Sequence, residues 1–333
     1  METETKKTDS AKSNVLAKKR WLIWLKIGIA ALVLTILVLK IDIHKIVFAL
    51  KNARAWPIWL ALILSGVNIY IQFCKWRFVV RFARPDVPPG EVLTSLFFGY
   101  IMGFVTPGRM GDVGRAFFIK KAPWQSTMGL AVVDKIYSVS LVYISGILGL
   151  LYLSPRFLPA GIYPLVVGVS LSLEFLLIYI LLHPRKIQRL YALLNRWFPN
   201  REKVQLFINS LDRFTTRDGA ILLGWSILFN LTFLTQFYLL ILAFENIPIH
   251  LAYTAAASTF LAKSLLPISI GDLGIREGAA VFFFTAVGMA SVTALNASLL
   301  IFIINVLLPS LVGFLLIFKS KLFAFLLAVK TWL

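Results

Sequence analysis

Two stretches of this chain place Pro, Gly, Asp and Arg where an apolar membrane helix would otherwise run. The first reads Pro107-Gly108-Arg109-Met110-Gly111-Asp112-Val113-Gly114, followed by Arg115. The second reads Pro267-Ile268-Ser269-Ile270-Gly271-Asp272-Leu273-Gly274, followed by Ile275, Arg276 and Glu277. Both share the pattern Pro-x-x-x-Gly-Asp-x-Gly, and Thr94 and Thr254 stand at equivalent places upstream. Pro and Gly interrupt a helix, and charge inside an apolar slab is costly enough to mark a functional site. After each break a new half-helix begins, and its free N–H groups and positive dipole end attract anions. Arg109 and Arg115 flank the first turn and Arg276 the second. A guanidinium meets phosphate as a planar fork, so the chemistry this pattern suits is the clamping of an anionic head group from two sides. On that reading Gly108, Gly111, Gly274 and Ser269 line the head-group site, and Asp112, Asp272 and Glu277 partner the arginines when it is empty. The alternative is that the charges pair with one another only to hold the two breaks shut.

Other polar residues lie within or beside the apolar stretches. Asp134 and Lys135 are expected to pair with Arg109 or Arg115, or to touch a ligand. Lys263 precedes Pro267, and its long stem suits snorkelling to the outer surface. Asn230, Gln236 and Asn305 fit interhelical hydrogen bonds. His44, His183 and His250 fall near the ends of apolar stretches, and Trp21, Trp24, Trp56 and Trp59 fit aromatic belts. Catalytic signatures such as Gly-x-Ser-x-Gly, His-Glu-x-x-His and Gly-x-x-x-x-Gly-Lys-[Ser/Thr] are missing, so no catalytic residue is assigned. A single cysteine, Cys74, and three histidines argue against a disulfide framework or a Cys/His metal site. No metal and no cofactor is expected.

Composition places these residues in a membrane. The chain is 59% hydrophobic and 15% charged over 333 residues, with a mean hydropathy of +0.83, whereas soluble domains carry roughly 25% charged residues. Its charge is lopsided, 34 Lys+Arg against 15 Asp+Glu, and clusters at the ends of apolar runs. That placement fits the positive-inside rule and attraction to anionic lipid. No basic soluble domain is present to bind nucleic acid.

Only helices or closed barrels satisfy their backbone in lipid, and a spanning helix needs about 20 apolar residues. Long runs without alternation exclude a barrel. The expected fold is therefore all-α, a polytopic helical bundle. Six full spans are expected at residues 21–39, 56–78, 126–151, 162–182, 220–244 and 292–318, with two broken segments at 92–120 and 251–287. Residues 1–20 read as a polar, disordered cytoplasmic terminus and 21–333 as a single transmembrane domain, with halves at 21–182 and 218–333. Lys18, Lys19 and Arg20 hold the first terminus inside; Lys75, Arg77, Arg81 and Arg84 follow the second span on the same side. If segment 92–120 dips in and returns, Lys120, Lys121 and the basic stretch 183–217 also fall inside. Three full spans then separate the two broken segments, which enter from opposite faces as re-entrant helices in an inverted repeat. The last span returns inside to Lys319 and Lys321. Within 183–217, apolar residues recur at helical spacing between arginines, as in two interfacial helices or a hairpin packed beneath the bundle.

These residues resemble a known family, the transmembrane domain of lysylphosphatidylglycerol synthases, also called flippase-like or UPF0104 membrane proteins. The resemblance is carried by Pro107-Gly108-Arg109-Met110-Gly111-Asp112 with Arg115, by Asp134-Lys135, and by Leu266-Pro267-Ile268-Ser269 through Gly271-Asp272-Leu273-Gly274-Ile275-Arg276-Glu277. Trp56 and Lys75-Trp76-Arg77 also match. The chain departs from the family at Asp112 and Asp272, where Glu or other residues are common, and at Lys135, where Arg is expected. The resemblance implies a domain that moves or presents a charged, aminoacylated or glycosylated lipid across the cytoplasmic membrane, with a phospholipid or polyprenyl-linked lipid as partner. In two-domain synthases an aminoacyl-transferase domain follows, and without it this chain is not expected to aminoacylate lipid alone. Two alternatives stand: a membrane enzyme acting on lipid phosphates, and a membrane partner of a separately encoded lipid-modifying enzyme. Polyprenyl-diphosphate phosphatases share the Pro-Gly break and arginine, but their Ser-Arg-Ser run and Glu-x-x-x-Glu helix are absent.

Overall fold

The computed structural model of the chain describes residues 43–106, 108–156, 159, 161–183, 214–266 and 272–316. The expected first span at 21–39, the stretch 184–213, Pro107, the turn 267–271 with Ser269, and Lys319 and Lys321 lie outside them. Every regular element among the described residues is helical: α1 (Ile43–Lys51), α2 (Ala55–Val80), α3 (Pro89–Val105), a 3-10 segment (Met110–Phe118), α4 (Trp124–Leu153), α5 (Tyr163–Leu182), α6 (Thr216–Leu242), α7 (Ile249–Leu265), α8 (Ile275–Ala286) and α9 (Ser291–Phe302). A π turn at Ile303–Leu307 carries α9 on through the apolar stretch Ser291–Leu316.

Among the described residues five helices are long and apolar enough to cross a membrane, Ala55–Val80, Trp124–Leu153, Tyr163–Leu182, Thr216–Leu242 and Ser291–Leu316. They coincide with the five expected full spans that fall among the described residues. Their outer faces are apolar too. On α5, Phe175 is 74% and Leu165 69% exposed, as lipid-facing side chains are. Helix starts follow local chemistry. Thr215 and Asp218 cap α6 reciprocally, the Thr215 N–H donating to the Asp218 carboxylate at 2.8 Å. Pro89 opens α3 at a position where no amide donor is needed.

Both broken segments are broken in the structure. In the first, α3 and the 3-10 segment fold back on one another, with the Phe98 and Phe118 rings 4.1 Å apart. The backbones come so close that a Cβ on Gly99 would lie 3.1 Å from the Asp112 carbonyl oxygen and 3.2 Å from Arg115 Cβ. Glycine at 99 is what lets the arginine pass. Thr106 Oγ1 closes the turn, accepting from the Gly111 N–H at 2.7 Å and donating to the Met102 carbonyl at 2.7 Å.

The two segments close at opposite ends of α2. At one end, the Arg54 N–H donates to the Ala243 carbonyl at 2.8 Å, Arg54 Nη1 to Asn246 Oδ1 at 2.6 Å, and the Ala290 N–H to Glu245 Oε2 at 3.2 Å. Asn246 lies just before α7 and Ala290 just after α8. At the other end, Arg84 Nη1 donates to Glu91 Oε2 and to the Lys120 carbonyl, both at 3.0 Å, and the Lys120 N–H donates to Glu91 Oε1 at 2.5 Å. Glu91 begins α3, and Lys120 lies just past the 3-10 segment.

Small residues bring α4 and α7 together. A Cβ on Gly149 would lie 2.7 Å from the Thr254 carbonyl oxygen, and one on Gly146 would lie 3.0 Å from that of Ala257. Without a hydrophobic drive between helices in lipid, such close approach supplies the packing energy. One apolar cluster gathers Phe237, Phe260, Phe284 and Ile301; a second gathers Trp76, Leu96, Tyr137 and Leu222. Gln236 and Asn305 exchange amide hydrogen bonds at 3.3 and 3.1 Å, and Gln236 Nε2 also donates to the Ala61 carbonyl at 2.9 Å. Asn230 Nδ2 donates to Ser145 Oγ at 3.2 Å. These are the interhelical bonds their placement predicts.

Candidate functional site

A cavity of about 200 Å³ opens among the helices, and both broken segments contribute charge to it. Asn68 of α2, Ser138 of α4, Asn230 of α6 and Asn305 beyond α9 line it, and each stands near the middle of its long helix. The cavity therefore lies about halfway along the bundle. Gly108, Arg109, Asp112 and Arg115 enter from the first broken segment, Lys263 and Asp272 from the second, and Asp134 and Lys135 from α4.

The charges form three groups. Asp134, buried on α4, takes Arg115 and also Lys75 of α2, whose Nζ lies 3.2 Å from Asp134 Oδ1 and donates to Ser138 Oγ at 2.5 Å. Arg115 also stacks on Trp76, its guanidinium carbon 4.1 Å from the ring centre. Trp76 Nε1 donates to Ser95 Oγ at 3.0 Å, and that hydroxyl donates to the Arg115 carbonyl at 2.8 Å. Asp112 takes Lys135 at 2.9 Å and Arg109 at 3.7 Å, and Lys135 Nζ also donates to the Arg109 carbonyl at 3.2 Å. Asp272 takes Lys263 at 2.7 Å. Pairing is what makes charge tolerable at this depth.

Two expectations are corrected. Lys263 does not snorkel outward: its side chain is 17% exposed and spans the second break to Asp272, because a buried carboxylate within 2.7 Å is a better partner than a distant surface. Lys75 is not an exposed charge at the exit of its span. It is 2% exposed, and Trp76 beside it is fully enclosed, since both face α4 and α3 rather than the membrane surface. Lys75 is the site residue that sequence reasoning missed. The signal was Asp134, one carboxylate set among more cations than it could neutralise.

Arg276 and Glu277 stand apart from the cavity lining. Arg276 pairs with Glu277, donates through Nε to Ser298 Oγ at 3.1 Å, and lies with its guanidinium carbon 5.2 Å from the Phe302 ring centre. Glu277 is fully buried and its Oε2 accepts from the Gly274 N–H at 2.7 Å, capping α8. The partner of Asp272 is thus Lys263 and not Arg276. Gly111 also serves the turn, backed against Met102. The two copies of the pattern differ in backbone as well. Left-handed conformations fall at Gly108 (φ 58°) and Arg109 (φ 54°) in the first, and at Asp272 (φ 62°) and Gly274 (φ 85°) in the second. Non-glycine residues adopt that region at a cost, and such residues gather at functional sites.

A helical bundle with five helices, among the described residues, long and apolar enough to span, and a paired-charge cavity near the midpoints of four of them, defines a polytopic integral membrane protein. Residues 23–313 match the lysylphosphatidylglycerol synthase TM region, and the chain belongs to that family. It is 23% identical over 328 residues to a UPF0104 membrane protein of Pyrococcus horikoshii, covering 90% of this chain and 97% of that protein. Over 298 residues it is 23% identical to a UPF0104 membrane protein of Methanothermobacter thermautotrophicus, covering 80% of this chain and 84% of the relative.

Proposed function

We propose that this protein translocates a lipid with a charged or glycosylated head group across the cytoplasmic membrane, passing the head group through the mid-helix cavity. One observation carries the reading: Arg109 and Arg115 from the first broken segment and Lys263 from the second line a single cavity halfway along the bundle. Broken helices meeting at the bilayer midplane are the way many transporters build a substrate site. The closure of the two segments at opposite ends of α2 supports re-entry from opposite faces, an inverted arrangement within one transmembrane domain, and the basic residues at both ends of the chain favour cytoplasmic termini. The lipid tails stay in the bilayer while the paired charges exchange partners with the head group.

Reconstitution tests it. Liposomes holding the purified chain and fluorescent phospholipids are treated with an impermeant quencher. Loss of outer- and then inner-leaflet fluorescence, faster than in protein-free vesicles, is the expected result. Inner-leaflet fluorescence that stays protected for every head group tried would overturn the proposal, and release of inorganic phosphate would assign the cavity to an enzyme.

A further inference from the structure

Buried charge in this bundle is paired, with one exception. Lys75 and Arg115 meet Asp134, Arg84 meets Glu91, Asp272 meets Lys263, and Arg276 meets Glu277. Glu174 of α5 is as buried as these, 6% exposed, yet it has no ion pair among the described residues and its Oε1 has no hydrogen-bond partner. It stands about 12 Å from Leu182, the nearer end of α5, at 1.5 Å per residue. Leu177 and Leu181 continue its face of the helix and join the apolar cluster of Tyr137 and Leu222. The neighbours of α5 are α4 and α6. Of their titratable groups, Asp134 and Lys135 are in ion pairs, Tyr137 donates to the Leu181 carbonyl at 2.5 Å, and Asp218 caps α6. Tyr143 and Tyr152 of α4, Arg217 and Tyr238 of α6, and Tyr163, Tyr179 and His183 of α5 make no hydrogen bond to Glu174.

We infer that Glu174 is a proton-carrying site that couples lipid movement to a proton gradient, neutral while α5 lies against α4 and α6 and ionised when that face opens to water. The inference adds a driving force to the transport reading and rests on it for the lipid. A buried carboxyl without a partner sheds its charge by taking up a proton, and ionisable residues within spanning helices serve as proton relays. Of the five spanning helices α5 is the least enclosed, with only Glu174 and Leu181 buried, so it is the one most easily parted from the rest. Its two neighbours carry cavity residues, Ser138 on α4 and Asn230 on α6, so its parting acts on two walls of the cavity. The proton passes from the carboxyl to water when the face opens and returns from water before it closes.

Two measurements test this. Infrared spectra of the purified full chain in phosphatidylcholine nanodiscs at neutral pH, unaltered protein minus Glu174→Gln, should show the carbonyl stretch of a protonated carboxylic acid. Absence of that band would overturn the inference. In proteoliposomes with the membrane potential held at zero, a pH gradient is imposed and the leaflet ratio of a fluorescent phospholipid is read by impermeant quenching. One proton per lipid should drive that ratio about tenfold per pH unit, reversing when the gradient is reversed. Glu174→Gln should lose the gradient response, and Glu174→Asp, which keeps a carboxyl, should retain it. A ratio in the unaltered protein that ignores the gradient, or a Glu174→Gln protein that still follows it, would also overturn the inference. The acid band without any lipid crossing would sink the transport reading and leave Glu174 as a proton site.

Discussion

Lys263 Nζ lies 2.7 Å from Asp272 Oδ2 across the second break, so that break is bridged by an ion pair from its own two limbs. The first break is held differently. Its aspartate, Asp112, reaches outside the segment to Lys135 of α4 at 2.9 Å. The two aspartates occupy the same place in a repeated pattern, yet one pair is internal and the other ties its segment to a spanning helix. Movement of the first segment must therefore break an ion pair with α4, whereas parting the two limbs of the second breaks an ion pair within the segment itself.

Removing one partner of the internal pair leaves a buried charge alone. Lys263→Met or Asp272→Asn should each lower stability by about 3–5 kcal/mol, while the double variant should recover much of the loss because no charge is left unpaired. Thermal unfolding of the three variants in detergent checks this. A double variant as unstable as the sum of the singles would show that the pair is not the coupling.

Arg109 and Arg276 should separate function from stability. Arg109 lines the cavity and Arg276 does not. Arg109→Ala should abolish lipid movement with near-normal abundance, whereas Arg276→Ala strands the fully buried Glu277 and should lower the unfolding midpoint and abundance. Measuring transport, abundance and midpoint on the same preparations decides. Parallel losses in all three for Arg109→Ala would count against the head-group site.

At the α4–α7 crossing there is no space for a larger side chain. Gly149→Val should cost about 1–3 kcal/mol through overpacking, since its Cβ would fall 2.7 Å from the Thr254 carbonyl oxygen. Gly168→Ala on α5 meets nothing within 4 Å and should leave the midpoint unchanged. Equal effects from the two changes would contradict the close approach.

The proposed entry of the broken segments from opposite faces makes a topological prediction. On a Cys74→Ser background, Lys121→Cys should react with an impermeant maleimide only from the cytoplasmic side and Ile249→Cys only from outside. Labelling of both from one side would remove the inverted arrangement.

Much of this was legible in the chain itself. Five spans and both breaks lie where apolar run length, Pro and Gly put them, because in lipid each backbone group must find its partner within its own helix. Arg115 with Asp134 was legible as a charge problem, since buried ions need partners and few were on offer; Lys135 with Asp112 was not, because the repeated pattern points Asp112 to the arginines. The π turn at Ile303–Leu307 was not, since Asn305 in an apolar run carries no backbone signal of its own.

Sequence by itself determined that this is a helical membrane protein of a recognisable family, with two charged breaks. Those follow from run length, composition and local backbone chemistry. Tertiary structure alone decided which charges meet. Lys75 turns inward to Asp134, Lys263 closes on Asp272, and Arg276 is kept out of the cavity beside Glu277. The reason is that an apolar helix is nearly featureless in rotation and depth. Those are set by packing between helices, at contacts such as Gly146 and Gly149 against α7.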